Sequence, residues 1–239
     1  MPHNDPTGSN PAFDSLDALH EAAAACRACP RLVAWREEVA ATKRQAFRDW
    51  TYWGKPVPGW GDPSARLLVL GLAPGAHGAN RTGRPFTGDG SGNFLYPALH
   101  RAGFASGPAS THRDDGLELI DCYMTGVAYC VPPKNRPTAA ELNNCRSWLV
   151  QELALLPQLQ AVLALGKIAF DGYLRALREL GHDLPRLTFT HGAAHDLPAG
   201  LPRLYASYHV SRQNTNTGRL TTAMFDDVLT SIKANLQPI

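Results

Sequence analysis

Four apolar runs of strand length, separated by helical patterns, constrain the fold of this chain most. Short apolar runs bounded by turn residues are typical of buried parallel strands, and helices between them cover both faces of the sheet. We therefore predict a three-layer α/β/α sandwich with a central four-stranded parallel sheet. The predicted strands are RLLVLGL (66–72), LELIDCYMTGVAY (117–129), QAVLALG (160–166) and PRLYASYH (202–209), and the predicted helices span 93–102, 138–156, 167–180 and 218–235.

The length and apolar content of the chain fit one domain of this kind. Its 239 residues, 44% of them apolar, can fill one large core. We predict a disordered tail over 1–13 and a single domain over 14–239, with one or two helices in 16–48 and a further strand or a loop in 187–197. Neither a membrane-spanning run nor an export signal is present in the sequence, so we expect a cytoplasmic, nucleoid-associated monomer.

Three loops that leave the carboxyl ends of predicted strands share a cationic composition. They span 71–92, 128–137 and 207–220, and ligand sites of open parallel sheets form at such loops. Loops rich in cations, glycine and asparagine suit a phosphate backbone, although surface loops can carry such a bias by chance. The loops contain one acid, Asp89, against six cations: Arg81, Arg84, Lys134, Arg136, Arg212 and Arg219.

The first of these loops, GLAPGAHGANRTGRPFTGDGSG, differs from nucleotide-binding loops. Neither GxxxxGK[ST] nor GxGxxG follows the strand, which disfavours a nucleotide cofactor. The glycines fit close approach of the backbone to a planar or phosphate group instead. Phe86 can stack on a flat ring or belong to the core, and Asp89 can act on a substrate or cap the following helix.

Two further side chains can supply hydrogen bonds at the same edge of the sheet. His209 opens the last cationic loop, where it can donate to a developing anion, although a lone histidine is more often structural. Asn135 follows two prolines, and its amide offers one acceptor and two donors, which are enough to read the edge of a base.

The cysteines indicate a metal site. Cys26 and Cys29 form a C-x2-C pair, and Cys130 and Cys145 lie farther along the chain. In a reducing compartment four such thiols can hold zinc or an iron–sulfur cluster, and their spacing leaves both open, as well as the alternative that only the C-x2-C pair binds metal. Cys122 lies in a predicted strand, where a buried apolar role is expected.

Three motifs together resemble the type-B (fifth) family of uracil-DNA glycosylases. They are GLAPGAHGANRTGRPFTGDGSG, CVPPKNRPT and HVSRQNTNTGRLT, and the resemblance covers roughly residues 20 to 235. It implies a structural [4Fe–4S] cluster on Cys26, Cys29, Cys130 and Cys145. It also implies hydrolytic excision of uracil, hypoxanthine, xanthine, hydroxymethyluracil and ethenocytosine from double-stranded DNA, with single-stranded DNA as an alternative substrate, which leaves an abasic site without strand cleavage.

The resemblance also assigns roles to individual residues. Relatives of other types carry Asp or Asn where GLAPG has Ala73, so the acid of this type is Asp89, assisted by His209 and Asn135 as catalytic residues. The substrate-binding residues implied are Gly71, Ala73, Pro74, Gly75, Ala76, Phe86, Asn135 and His209. The DNA-binding residues implied are Ser211, Arg212, Gln213, Asn214 and Arg219.

Two departures from the family pattern and two rival functions complete the predictions. Val210 replaces a common proline, which suggests a less rigid loop, and Gly126 stands where some relatives read the base with asparagine. A non-catalytic iron–sulfur protein that binds or senses damaged DNA is one rival. The type-A (fourth) glycosylases are the other, and they are disfavoured because GLAPGAH lacks their acid.

Overall fold

In the described part of the chain, six strands form one sheet. The computed structural model describes residues 13–198 and 200–238, so residues 1–12 of the predicted N-terminal tail lie outside the described residues. The strands follow the order β1-β3-β2-β4-β6-β5 across the sheet. They are β1 (Trp60–Gly61), β2 (Leu67–Gly71), β3 (Cys122–Gly126), β4 (Ala161–Leu165), β5 (Ala194–His195) and β6 (Arg203–Ser207).

The four inner strands confirm the predicted parallel sheet. β2 pairs with both β3 and β4, and β4 pairs with β6, each in parallel register. β1 and β5 are antiparallel additions at the two edges. β5 falls in the segment 187–197 predicted as a strand or loop, whereas β1 was not predicted, because a strand of two residues carries no alternation to detect.

Eight α-helices lie in the described residues, and they include the four predicted between strands and two within 16–48. The two that were not predicted, α3 and α7, are short and lie inside the cationic loops. None of the helices in this part of the chain is long and apolar enough to cross a membrane. The helices are α1 (Leu16–Ala24), α2 (Pro30–Thr42), α3 (Ala79–Thr82), α4 (Gly92–Ala102), α5 (Ala139–Ala154), α6 (Lys167–Glu179), α7 (Arg212–Asn216) and α8 (Thr222–Asn235).

Two apolar clusters on opposite faces of the sheet confirm the three-layer arrangement. Leu67 and Val69 of β2 pack in the cluster that contains residues of α4 and α8. Leu68 and Leu70 belong to the cluster that contains residues of α5 and α6. Successive side chains of a strand point to opposite faces, so one continuous apolar run supplies both layers.

The predicted strand 117–129 was too long at both ends. The observed strand begins at Cys122, because the preceding Asp121 adopts a left-handed φ of 53° that interrupts an extended backbone. Asp121 is held there by Arg66, whose Nη2 lies 2.5 Å from its Oδ2. Cys122 itself is completely buried, which confirms its predicted structural role.

Contacts between α2 and α5 bring distant cysteines together. Thr138 and Glu141 form a reciprocal capping box at the start of α5. Arg31 of α2 donates from Nη2 to Glu141 Oε2 at 2.6 Å, and this ties the two helix starts to each other. Cys29 precedes α2 and Cys145 lies in α5, so the two parts of the cysteine set lie on packed elements.

Candidate active site

A cavity of about 640 Å³ lies at the carboxyl ends of β2, β3 and β6. Its size falls within the range of small-molecule sites, and its position is the one expected for a parallel sheet. Gly71 and Gly126, which end β2 and β3, are register partners and both line it. All the predicted catalytic and substrate-binding residues line this one cavity: Gly71, Ala73, Pro74, Gly75, Ala76, Phe86, Asp89, Asn135 and His209.

Asp89 is fixed by one of its carboxylate oxygens and open at the other. Oδ1 accepts hydrogen bonds from the backbone N–H of Ser91 at 2.9 Å and of Gly92 at 3.1 Å, at the start of α4. Oδ2 accepts no hydrogen bond from the described residues. Capping and chemistry are therefore compatible in this residue: one oxygen locks the rotamer, and the other is left for a ligand.

Two glycines make the space for Oδ2 of Asp89. A Cβ on Gly75 would lie 2.6 Å from Oδ2, and a Cβ on Gly78 would lie 2.2 Å from it. Both distances are shorter than any real contact of a Cβ, so a side chain at either position would displace the carboxylate. The permissive backbone of the first cationic loop thus has a specific purpose beside the acid.

Phe86 packs against the end of β2 in a strained conformation. Its φ is +52°, which is rare for a bulky residue and costs about 1–3 kcal/mol, as strained backbones at functional sites commonly do. A Cβ on Gly71 would lie 2.5 Å from Phe86 Cζ, so glycine lets the ring lie directly on the strand. The ring lines the cavity, and its centroid lies 6.4 Å from the centroid of the His209 ring.

His209 faces the cavity from the end of β6. Burial lowers the pKa of His209, and the nearby charge of Asp89 opposes this shift in part. The imidazole is therefore neutral at neutral pH and can donate one N–H. Its backbone carbonyl accepts a hydrogen bond of 2.8 Å from Asn214 Nδ2, which orients this residue from behind.

Asn135 lies on the exposed rim of the cavity. It ends a short 3-10 turn, Pro133–Asn135, and both Asn135 and Lys134 have a left-handed φ of 55°. Asparagine tolerates that conformation better than most residues. The turn places the amide at the cavity beside the end of β3, where its exposed groups are available to a ligand.

The loop 207–220 supplies the opposite rim and contains the predicted DNA-binding residues. Ser211 caps α7 by accepting from the backbone N–H of Asn214, and Ser211, Arg212 and Gln213 line the cavity. Asn214 lies behind them, engaged with His209, and the exposed Arg219 lies over the Tyr208 ring at 4.6 Å. Val210 is completely buried in the core, so the loop is anchored without the proline of the family pattern.

The interpretation of Arg81 and Arg84 as phosphate-binding cations was wrong. They are 3% and 2% exposed, and their guanidinium groups are engaged inside the protein. Arg84 Nη2 lies 2.7 Å from Asp115 Oδ2. Burial alone would raise the pKa of Asp115, but hydrogen bonds from Arg84 and from the backbone of Thr111 and Leu117 lower it to about 2. A charge count cannot distinguish a buried arginine from an exposed one.

Four residues that line the cavity lie outside the three cationic loops and were missed by the sequence predictions. Arg44 and Phe47 follow α2 and form part of the wall, together with Val57 and Thr125. Contacts between α2 and α3 carry this segment to the cavity, and no local pattern in the sequence announces such packing. Burial lowers the pKa of the cavity residue His77, and the charges of Arg44 and Arg81 lower it further.

The four predicted metal ligands surround a second, smaller cavity. Cys26, Cys29, Cys130 and Cys145 all line it, and none of them forms a disulfide. Three N–H groups point at sulfur: Arg36 Nη1 to Cys130 at 2.9 Å, the backbone of Tyr129 to Cys145 at 3.2 Å and Asn144 Nδ2 to Cys29 at 3.5 Å.

These four cysteines line a shared cavity. Burial raises the pKa of the Cys130 and Cys145 thiols, so only a bound cation would make them thiolates at neutral pH. Among the residues that the structure describes, no three His, Cys, Asp or Glu side chains form a group that could hold a single metal ion.

Comparison with known proteins agrees with this geometry. A family model described as the uracil DNA glycosylase superfamily matches residues 58–233. The type-5 uracil-DNA glycosylase of Thermus thermophilus is 56% identical over 91% of this chain and 96% of its own length. That of Mycobacterium tuberculosis is 51% identical, over 92% and 81%. A type-4 uracil-DNA glycosylase of Pyrobaculum aerophilum is 31% identical, over 69% and 65%.

Proposed function

Because the chain belongs to the uracil DNA glycosylase superfamily, and within it to the type-5 enzymes, we propose that it hydrolyses the N-glycosidic bond of uracil in DNA. The product is free base and an abasic site, the first step of base excision repair. The observation that carries the proposal is the half-engaged carboxylate of Asp89, locked by two backbone amides and open at Oδ2 toward a cavity large enough for a nucleobase.

The target nucleotide must leave the base stack to reach this cavity. Extrusion costs a few kcal/mol in a normal pair and less in a mismatch, which favours deaminated bases. The exposed side chains of Arg212 and Gln213 lie at the rim, where they can contact backbone phosphates or fill the gap left by the base. Arg219, exposed beside Tyr208, extends the same cationic rim along double-stranded DNA.

Bond cleavage separates charge, and the cavity supplies a partner for each sign. Positive charge develops on the deoxyribose, and Oδ2 of Asp89 can stabilise that cation or align the attacking water. Negative charge develops on the departing base, and the neutral imidazole of His209 can donate a hydrogen bond to its oxygen. Phe86 would stack on the ring, and Asn135 would bind its polar edge.

A broad range of bases is consistent with the walls of the cavity. Gly126 offers no side chain to reject one base or select another, and the exposed Asn135 is the polar reader that remains nearby. We propose that hypoxanthine, xanthine, hydroxymethyluracil and ethenocytosine are accepted besides uracil. Duplexes that each contain one of these lesions would rank them in a single series of excision assays.

We further propose that Cys26, Cys29, Cys130 and Cys145 hold a [4Fe–4S] cluster. The four cysteines line one small cavity, and four thiolates are the ligand set that such a cluster takes. The N–H groups of Arg36, Asn144 and Tyr129 would hydrogen-bond the thiolates. When bound, such a cluster would cross-link α2 to α5 as a structural group.

The metal content of purified protein tests the cluster. We expect a brown protein containing iron and acid-labile sulfide, and Cys145→Ser should lose the colour and lower the thermal stability. Colourless protein with stoichiometric zinc would refute the cluster while leaving the excision chemistry open.

Excision is tested with a duplex that contains one uracil. Treatment with alkali after incubation converts abasic sites into strand breaks, so the wild-type protein should give alkali-dependent cleavage. Asp89→Asn should lower the single-turnover rate by about a hundredfold or more while DNA binding persists. DNA binding without any excision by the wild-type protein would instead favour the non-catalytic damage sensor.

A further inference from the structure

Arg81 lies against two nearly perpendicular aromatic rings beside the active-site cavity. It belongs to α3 and is 3% exposed. Its guanidinium carbon lies 4.0 Å from the ring centroid of Phe47 and 4.0 Å from that of Trp50. Both rings come from the segment after α2, outside the motifs identified from sequence. Two such contacts, with the cation removed from water, fix the plane of the guanidinium group.

The guanidinium group of Arg81 joins His77 to Gly88, the two ends of the segment that leads to Asp89. Nε donates to the His77 carbonyl at 2.8 Å, and Nη2 donates to the Gly88 carbonyl at 2.9 Å. Gly88 has a left-handed φ of 76°, and a Cβ there would lie 2.4 Å from Nη2. The residue immediately before Asp89 is therefore placed by direct contact with Arg81.

The charge of the catalytic acid also acts on Arg81. Burial lowers the pKa of Arg81, but the carboxylate of Asp89 and the phenol of Tyr52 act in the opposite sense. Nη1 is buried and has no hydrogen-bond partner among the described residues. A buried cation kept at this place, with one donor group unsatisfied, is costly for a residue that only fills space.

We propose that Arg81 is a positioning residue that sets the carboxylate of Asp89 against the deoxyribose. Phe47 and Trp50 keep its guanidinium group in place. The proposal rests on the proposed function, since it acts through the acid of that reaction. It makes the excision rate depend on Phe47 and Trp50, which contact the guanidinium group that binds the Gly88 carbonyl next to Asp89.

Lysine cannot replace arginine in this arrangement. Its ammonium is a point charge without a planar fork, so it cannot contact both of these perpendicular rings and reach both carbonyls in fixed geometry. Arg84 offers a matched control in the same loop. It is equally buried, but its guanidinium group binds Thr87, Ser110 and Asp115 and makes no hydrogen bond to Gly88 in the described residues.

The test compares Arg81→Lys with Arg84→Lys on the uracil duplex, each alone and combined with Asp89→Asn. Arg81→Lys should lower the single-turnover rate about 10- to 100-fold with little change in DNA affinity, because small misplacements of a catalytic group cost that much. In the Asp89→Asn background the same change should cost less than about threefold. Arg84→Lys should show no such dependence on Asp89.

Chemical rescue gives a second readout. Arg81→Ala leaves a cavity against the faces of the two rings, and guanidinium chloride at non-denaturing concentration should restore part of the rate with saturation, whereas methylammonium should not. Trp50→Leu, which keeps Arg81 itself, should lower the rate less and show the same dependence on Asp89. Trp50→Leu also tests the proposal if the Arg81 variants fail to fold.

The outcomes separate the two levels of the argument. Equal rate losses with and without the Asp89 carboxylate, or rescue that does not distinguish the two cations, would reduce Arg81 to a structural brace and overturn the inference. Wild-type protein that does not excise uracil would overturn the proposed function instead, before any Arg81 variant is measured.

Discussion

The loops 71–92 and 207–220 have similar compositions, but they differ in the exposure of their arginines. Both combine arginines with glycine, asparagine and threonine, and both line the cavity. In the first, Arg81 and Arg84 are buried and bind carbonyl and carboxylate groups of the protein. In the second, Arg212 and Arg219 are exposed. The same residue type is therefore part of the buried framework in the loop that contains Asp89 and is exposed in the other loop.

The difference comes from what surrounds each loop. The first runs against the aromatic segment 47–53 and the segment 110–115, which supply rings, carbonyl groups and a carboxylate for its cations. The second is held mainly by its own helix cap and by the buried Val210, and its arginines extend past these anchors. The comparison implies that substitutions in the first loop change catalysis and stability, and those in the second change DNA affinity.

The largest effect is expected from Gly78→Ala in the first loop. The added Cβ would lie 2.2 Å from Asp89 Oδ2, so the carboxylate must move. We expect the single-turnover excision rate to fall by about a hundredfold, with DNA affinity changed by less than about twofold. Gly107→Ala is a suitable control, because its Cβ would meet only Leu117 at 3.4 Å. A wild-type rate in Gly78→Ala would show that the acid tolerates displacement.

Arg84→Met should give the largest change in stability. It leaves Asp115 as an unpaired carboxylate in a site where both partners are mostly buried. The free energy of unfolding in urea should drop by about 3–5 kcal/mol. Arg212→Ala in the second loop should change it by less than about 0.5 kcal/mol. Similar losses for the two variants would remove the contrast between the loops.

Arg212→Ala and Arg219→Ala should weaken DNA binding without base specificity. A cation that neutralises one phosphate releases one counterion, so each variant should reduce the slope of log affinity against log salt by about 1. Arg81→Lys should leave that slope unchanged, since its guanidinium is buried. Binding titrations over a series of salt concentrations check this, and an altered slope for Arg81→Lys would contradict the assignment.

The smallest effect concerns pH and links the two loops. Burial lowers the pKa of His209 below its ordinary value of about 6.5, while Asp89 in the other loop raises it in part. The excision rate should therefore stay constant as the pH falls from neutral to about 6.5, and it should decline only below pH 6.5 or so. As the pH falls, this imidazole is protonated in the unfolded chain before it is protonated in the folded protein. The free energy of unfolding therefore also declines as the pH falls below about 6.5.

The same titration can be sharpened with a variant. Asp89→Asn removes the charge that raises the His209 pKa, so the histidine should titrate at still lower pH than in the wild type. An NMR titration of the imidazole resonance measures this directly. An upward shift would mean that the two side chains do not sense each other.

Much of the scaffold was predictable from local patterns. The inner strands and long helices follow from apolar runs and helical periodicity, which report which side chains must be buried. The two-residue strand β1 and the short helices α3 and α7 do not, because such elements depend on pairing with a neighbouring strand or on a helix cap. Ser211, for example, caps a helix of five residues, Arg212–Asn216, that no periodicity reveals.

The four inner strands, the long helices and the gathering of the motif residues at one edge follow from the sequence alone, because burial of apolar runs and the carboxyl ends of parallel strands leave few alternatives. The folded structure was needed to show which arginines are exposed, which oxygen of Asp89 stays open, and that Phe47 and Trp50 contact Arg81. These depend on contacts between segments distant in sequence, where a side chain of fixed chemistry takes its role from the atoms packed around it.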